Sequence, residues 1–162
     1  MDTKSAELTR LRNEILASVI DPWVFPEHKG VKGFLGAGPV MLVGERPSTG
    51  TFGGPSDRLL YSLLERHVLG EAHLTDVIKS RGKANDPYPA DMSAHRRIFY
   101  RELEIVQPSL VITFGQKVFD LLQFTLADSG ITIRRVWHYS YARRGAAKAG
   151  AFEGQLAEAL RL

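Results

Sequence analysis

Leu8, Leu11, Ile15 and Val19 recur at helical spacing within a charged segment, which predicts an amphipathic helix ending at Asp21-Pro22, where proline stops it. A stretch rich in proline and glycine follows over residues 22–39. The run Val40-Met41-Leu42-Val43 is continuously apolar between Pro39 and Gly44, the pattern of a strand buried on both faces of a parallel sheet. After a loop over 44–54, Leu59, Leu60, Leu63, Leu64 and Val68 mark a helix opened by the cap signals Gly54-Pro55-Ser56-Asp57. A second strand is expected over 73–78 and a loop over 79–89, with the next helix beginning near Asp91. That helix buries Phe99, Leu103 and Val106 and is stopped by Pro108 before a third strand over 110–114, which Gly115 ends. Val118, Leu121, Leu122 and Leu126 make a further helix. Residues 131–137 form a fourth strand, whose Arg134 predicts an edge position, and a last helix starts at about Gly150.

Strands alternating with helices require right-handed crossovers, so the expected fold is α/β: a three-layer α/β/α sandwich around a mainly parallel four-stranded sheet. With 162 residues, 44% hydrophobic and 24% charged, the chain reads as a single domain over 1–162 with one core. The absence of cysteine excludes disulfides and thiolate-held zinc or iron-sulfur groups, so no metal or cofactor is expected. The first twenty residues mix charges with apolar positions, unlike a secretory signal, and no apolar run approaches the roughly 20 residues that span a bilayer. The expectation is a cytoplasmic monomer without membrane association. A formal charge of +3 and a pI near 9.3 suit a nucleic-acid partner without demanding one.

Unusual residues concentrate in three loops that each follow a strand: Gly44-Glu45-Arg46-Pro47-Ser48, residues 76–86, and His138-Tyr139-Ser140-Tyr141-Ala142-Arg143-Arg144. In a parallel sheet such loops converge at the carboxyl ends of the strands, and a single site is expected there. Gly44-Glu45-Arg46-Pro47 resembles the G-E-x-P-G motif of the family 4 (thermophile-type) uracil-DNA glycosylases. Phe52-Gly53-Gly54 with Leu59-Leu60 is similar to their F-x-G-x-x-G-x-L-L continuation, and Leu74-Thr75-Asp76-Val77-Ile78-Lys79 to their I-T-N-V-V-K segment. Asn85-Asp86-Pro87-Tyr88-Pro89 resembles N-R-x-P-x-P, the 108–115 stretch resembles P-x-x-I-v-x-L-G, and His138-Tyr139-Ser140 stands where H-P-S is expected. The similarity runs from about Val40 to Arg144 and places the chain in the uracil-DNA glycosylase superfamily.

The resemblance implies a DNA partner, single-stranded or mismatched in the region engaged, from which the protein extrudes and excises an aberrant (deaminated) base by hydrolysing its N-glycosidic bond. Phe52 would stack on the base. Cleavage leaves an anionic base and a cationic sugar, which gives His138 the role of donor to the base oxygen and Glu45 that of negative charge or water activator. Lys79, Arg143 and Arg144 would hold phosphates, Ser48 and Ser140 would add contacts, and Tyr141 would wedge into the gap. Each residue also has a plain structural role open to it. Phe52 can be a core or lid aromatic, His138 a capped structural histidine, Glu45 a solvated carboxylate or a partner of Arg46, and the arginine pair an ordinary surface pair.

Three departures from the family pattern matter. Iron-sulfur cysteines are absent, so the corresponding region relies on packing, and Tyr139 replaces the proline that would preset His138. Asp76 replaces an asparagine that reads the base edge with both a donor and an acceptor, whereas an ionised carboxylate only accepts. A base presenting an amine suits it better than uracil does, so specificity is expected to be altered from uracil. The alternative reading is a nucleic-acid or nucleotide-binding protein on the same scaffold without catalysis.

Overall fold

The computed structural model describes residues 2–161. Its elements run α1 (Thr3–Ser18), a 3-10 turn (Gly33–Leu35), β1 (Val40–Gly44), α2 (Pro55–Arg66), β2 (His73–Asp76), α3 (Met92–Val106), β3 (Leu110–Phe114), α4 (Gln116–Thr125), β4 (Thr132–Val136), α5 (Tyr139–Ala142) and α6 (Ala146–Ala159). All strand pairings are parallel, in the order β2-β1-β3-β4. Successive side chains of a strand point to opposite faces, and the central strands are apolar apart from Thr113 because each face carries a helical layer. Leu42, Leu74, Ile112 and Phe114 pack with α2 and α6, while Met41, Val43 and Val111 pack with α1, α3 and α4.

The expected α/β/α sandwich with a four-stranded parallel sheet is the observed fold. Strand β3 has the expected bounds, β4 lies at the edge, and Asp91 caps α3 by accepting from the Ala94 N–H at 3.2 Å. Strand β2 is shorter than expected, but Val77 and Ile78 still donate to the carbonyls of Gly44 and Glu45 at 2.9 Å each. Helix α6 begins four residues before Gly150, since Gly150 and Gly154 sit inside it.

Residues 21–38 strap the β2 end of the sheet. Trp23 N–H bonds the Lys79 carbonyl, Arg81 N–H the Asp21 carbonyl, and Gly38 N–H the Glu71 carbonyl. Among the described residues no helix is long and apolar enough to cross a membrane.

Candidate functional site

In the order β2-β1-β3-β4 the chain leaves β1 toward one side and returns to its other side at β3, so the crevice outside the carboxyl ends of β1 and β3 is a topological switch point. The loops after all four strands meet there. The 45–50 loop is held against the 81–88 loop: Gly82 N–H donates to Pro47 O at 2.9 Å, Arg81 to Gly50 O at 3.0 Å, and Arg46 to the carbonyls of Asp86 and Pro87 at 3.3 Å.

Phe52, Asp76 and Ser48 share a small cavity of about 30 Å³ with Trp23, Pro47, Gly50, Asp57 and Tyr139. Asp76 follows Leu74 and Thr75 in β2, and alternation turns it to the α2 face, the face of Leu74. It is 6% exposed, and its carboxylate has no hydrogen-bond partner among the described residues. Burial pushes its pKa up to about 7 against the opposing Lys79 charge, with Glu102 and Glu45 adding to the rise. Gly44 makes room for it, since a Cβ there would collide with Asp76 Oδ1. Phe52 is half-buried and meets Tyr61 edge-on with ring centres 5.2 Å apart, and His28 likewise at 5.7 Å. Tyr139 closes the opposite wall, edge-on to Phe114 at 5.1 Å, and burial raises its phenol so that it stays protonated.

Glu45 lies outside that cavity. Its Oε2 accepts from Tyr88 Oη at 2.8 Å and pairs with Lys117 Nζ at 2.8 Å. The Lys117 ammonium also lies over the Tyr88 ring, and Glu45 borders a neighbouring apolar cleft of about 350 Å³ between α3 and α4. The carboxylate is therefore partnered, though by Lys117 rather than by Arg46.

His138 is the N-cap of α5, with Nδ1 accepting from Ser140 N–H at 3.1 Å and facing Ser140 Oγ at 2.7 Å. An accepting Nδ1 puts the proton of the neutral ring on Nε2. One side of the ring is open to solvent, yet desolvation holds its pKa below the ordinary histidine value, with Asp57 opposing. The ring stacks on Tyr139 at 4.4 Å and lines a groove with Gly115, Trp137 and Tyr141. Tyr141 meets Trp137 edge-on at 5.0 Å beneath the cations of Arg144 and Lys148, at 5.1 and 4.6 Å. Arg143 and Arg144 are exposed beside it. The three loops thus meet at one edge but shape adjacent concavities rather than one pocket.

Lys79 is a correction. Expected at a phosphate, it is 1% exposed and turned to the α3 face. Its Nζ meets Glu102 Oε2 at 2.6 Å and donates to Thr75 Oγ1 at 2.8 Å and to the Asp76 carbonyl. Glu102 Oε1 reaches His73 Nε2 at 2.9 Å. Burial would raise Glu102, but Lys79 and the His73 hydrogen bond outweigh it and hold the carboxylate below its ordinary range. An ammonium enclosed this way cannot present itself to a phosphate.

Trp23 and Asp57 are cavity residues that the sequence reading missed. Trp23 arrives on the strap and carries no local signal. Asp57 did carry one: it falls on the last glycine of F-x-G-x-x-G-x-L-L. Placed in the first turn of α2, where negative charge is favourable, it accepts from Gly53 N–H through Oδ2 at 3.0 Å. Among the described residues no group of acidic and histidine side chains has the arrangement of a metal site. Residues 35–161 match the family model described as the uracil DNA glycosylase superfamily. No curated protein matches the chain.

Proposed function

Since the chain belongs to the uracil-DNA glycosylase superfamily, we propose that it excises an aberrant base from DNA, with its preference displaced from uracil. The observation carrying this reading is the carboxylate of Asp76, a buried residue without a hydrogen-bond partner for that group among the described residues, in an aromatic-walled cavity at the carboxyl edge of the sheet. In this reading the base stacks on Phe52 and offers its edge to Asp76. A glycosylase of this kind needs a donor toward the departing base and negative charge toward the sugar. Neutral His138, with its proton on Nε2, suits the first role; Glu45 suits the second once the nucleic acid loosens its contact with Lys117. Arg143 and Arg144 would supply charge for the backbone, Ser48 and Ser140 would supply hydroxyls, and Tyr141 would wedge into the gap left by the extruded base. The resemblance to the family 4 enzymes, without their cysteines, belongs to the same proposal.

The test is strand cleavage by alkali after incubation with single- and double-stranded oligonucleotides carrying different aberrant bases, compared with Glu45→Ala and His138→Ala. Excision of one base that both variants lose supports the reading. One observation favours a second reading, a nucleic-acid binder without catalysis: Glu45 and His138 are both engaged with protein partners outside the Asp76 cavity. Salt-dependent binding with no alkali-labile sites would favour it.

A further inference from the structure

We infer that the Asp57–Asp76 cavity selects a positively charged nucleobase, an N-alkylated ring such as 7-methylguanine or N3-methylcytosine, over neutral bases. The inference rests on the glycosylase reading and narrows its substrate class. Three observations on the cavity converge. Asp76 is nine-tenths buried with no hydrogen-bond partner among the described residues, so its carboxylate, which lines the cavity without being sealed from solvent, has no protein donor or cation there. A second carboxylate, Asp57, lines the same small space, and among the described residues its hydrogen bond is the one that Oδ2 accepts from Gly53 N–H. The remaining walls include Trp23, Phe52 and Tyr139, whose ring faces attract cations, and tryptophan does so best. Uracil offers this cavity one ring donor flanked by carbonyl oxygens, which two ionised carboxylates would repel; a bound cation favours that ionised form of Asp76 against the burial that raises its pKa to about 7. A cationic ring offers positive charge to both acids and to the aromatic faces at once.

The chemistry of departure agrees. When the bond from C1′ to the ring nitrogen breaks, its electron pair passes to the ring and cancels the positive charge, so the base leaves neutral. Water then bonds to C1′ and releases its proton to solvent. At about 30 Å³ the cavity holds a water molecule rather than a ring. Admission of a base therefore requires the wall to open, and the exposed 48–51 segment is its least buried part.

The experiment uses nucleosides first, because they carry no phosphate: calorimetric titration with 7-methylguanosine against guanosine, and with N3-methylcytidine against cytidine. The expected result is roughly tenfold or greater preference for each cation, reduced in both Asp57→Asn and Asp76→Asn. The first variant keeps the acceptor that Gly53 uses, and the second removes a buried charge, so both are expected to fold. No preference for the cation, or a preference that survives both substitutions, would overturn the inference. Oligonucleotides containing 7-methylguanine or uracil are then assayed for alkali-labile sites above the uncatalysed loss. Cation-selective binding with no excision of any base would remove the glycosylase reading and leave the selectivity standing. Excision of uracil without cation preference would do the reverse.

Discussion

Replacing Asp76 by asparagine should stabilise the protein, and by an amount that grows with pH. The buried carboxyl has its pKa raised from 3.8 to about 7. Because the folded state holds the proton more tightly, the unfolded chain binds fewer protons between those two values, and stability falls as pH rises through that window. A tenfold change in proton affinity is about 1.4 kcal/mol, so the full loss above the folded pKa is about 4 kcal/mol. Near pH 5 the unfolded carboxyl is already ionised, so part of this loss is present there, and about 3 kcal/mol more accrues by pH 8. Asparagine has the same shape and no charge to lose. Urea denaturation of both proteins near pH 5 and near pH 8 measures the gap, which should widen by about 3 kcal/mol in favour of the variant. In melting temperature this is about 6–12 °C for a chain of this length. A gap that widens by less than about 1 kcal/mol would mean that Asp76 is solvated or charge-compensated in the native state, and the account of the cavity would fail with it.

Breaking the enclosed ion pair acts in the other direction: Glu102→Gln leaves the Lys79 ammonium buried without its counter-ion and should cost about 3–5 kcal/mol by chemical denaturation. Adding Lys79→Met to that variant should recover much of the loss. Gly44→Ala drives a methyl group into Asp76 Oδ1, and overpacking of this kind should cost about 1–3 kcal/mol, read as a lower denaturation midpoint at unchanged m-value. Arg143→Ala and Arg144→Ala should each weaken oligonucleotide binding with little regard to base and lower the salt dependence by about one counter-ion, whereas Lys79→Met should leave that slope unchanged.

The layered sheet was readable because β1 and β3 lie between two helical layers, which forces near-continuous apolar runs, and because the edge strand admits Arg134 and Arg135 to solvent. Helix α6 was half-hidden, since interior glycines weaken the helical signal that packing of Phe152 and Leu156 overrides. The four-residue α5 is too short for any periodicity. At the site, Phe52 and Asp76 were named from motifs and do share a cavity, but motif order says nothing about which way a side chain faces. Lys79 illustrates this. It lies three positions beyond Asp76, yet its long stem crosses to the opposite layer to reach Glu102, a partner 23 residues away that no local pattern announces.

The strap over residues 21–38 gives the family match a practical limit. The match begins at residue 35, but Trp23, which walls the cavity, and Leu8, Leu11 and Ile15, which fill one core layer, all precede it. A version trimmed to the matched span would expose the α3 side of the sheet and unroof the pocket in the same cut. In engineering terms, the residues before the matched span, about a fifth of the molecule, are a component of the binding site and core rather than dispensable, and chimaeras that exchange specificity with relatives should carry them along with the loops.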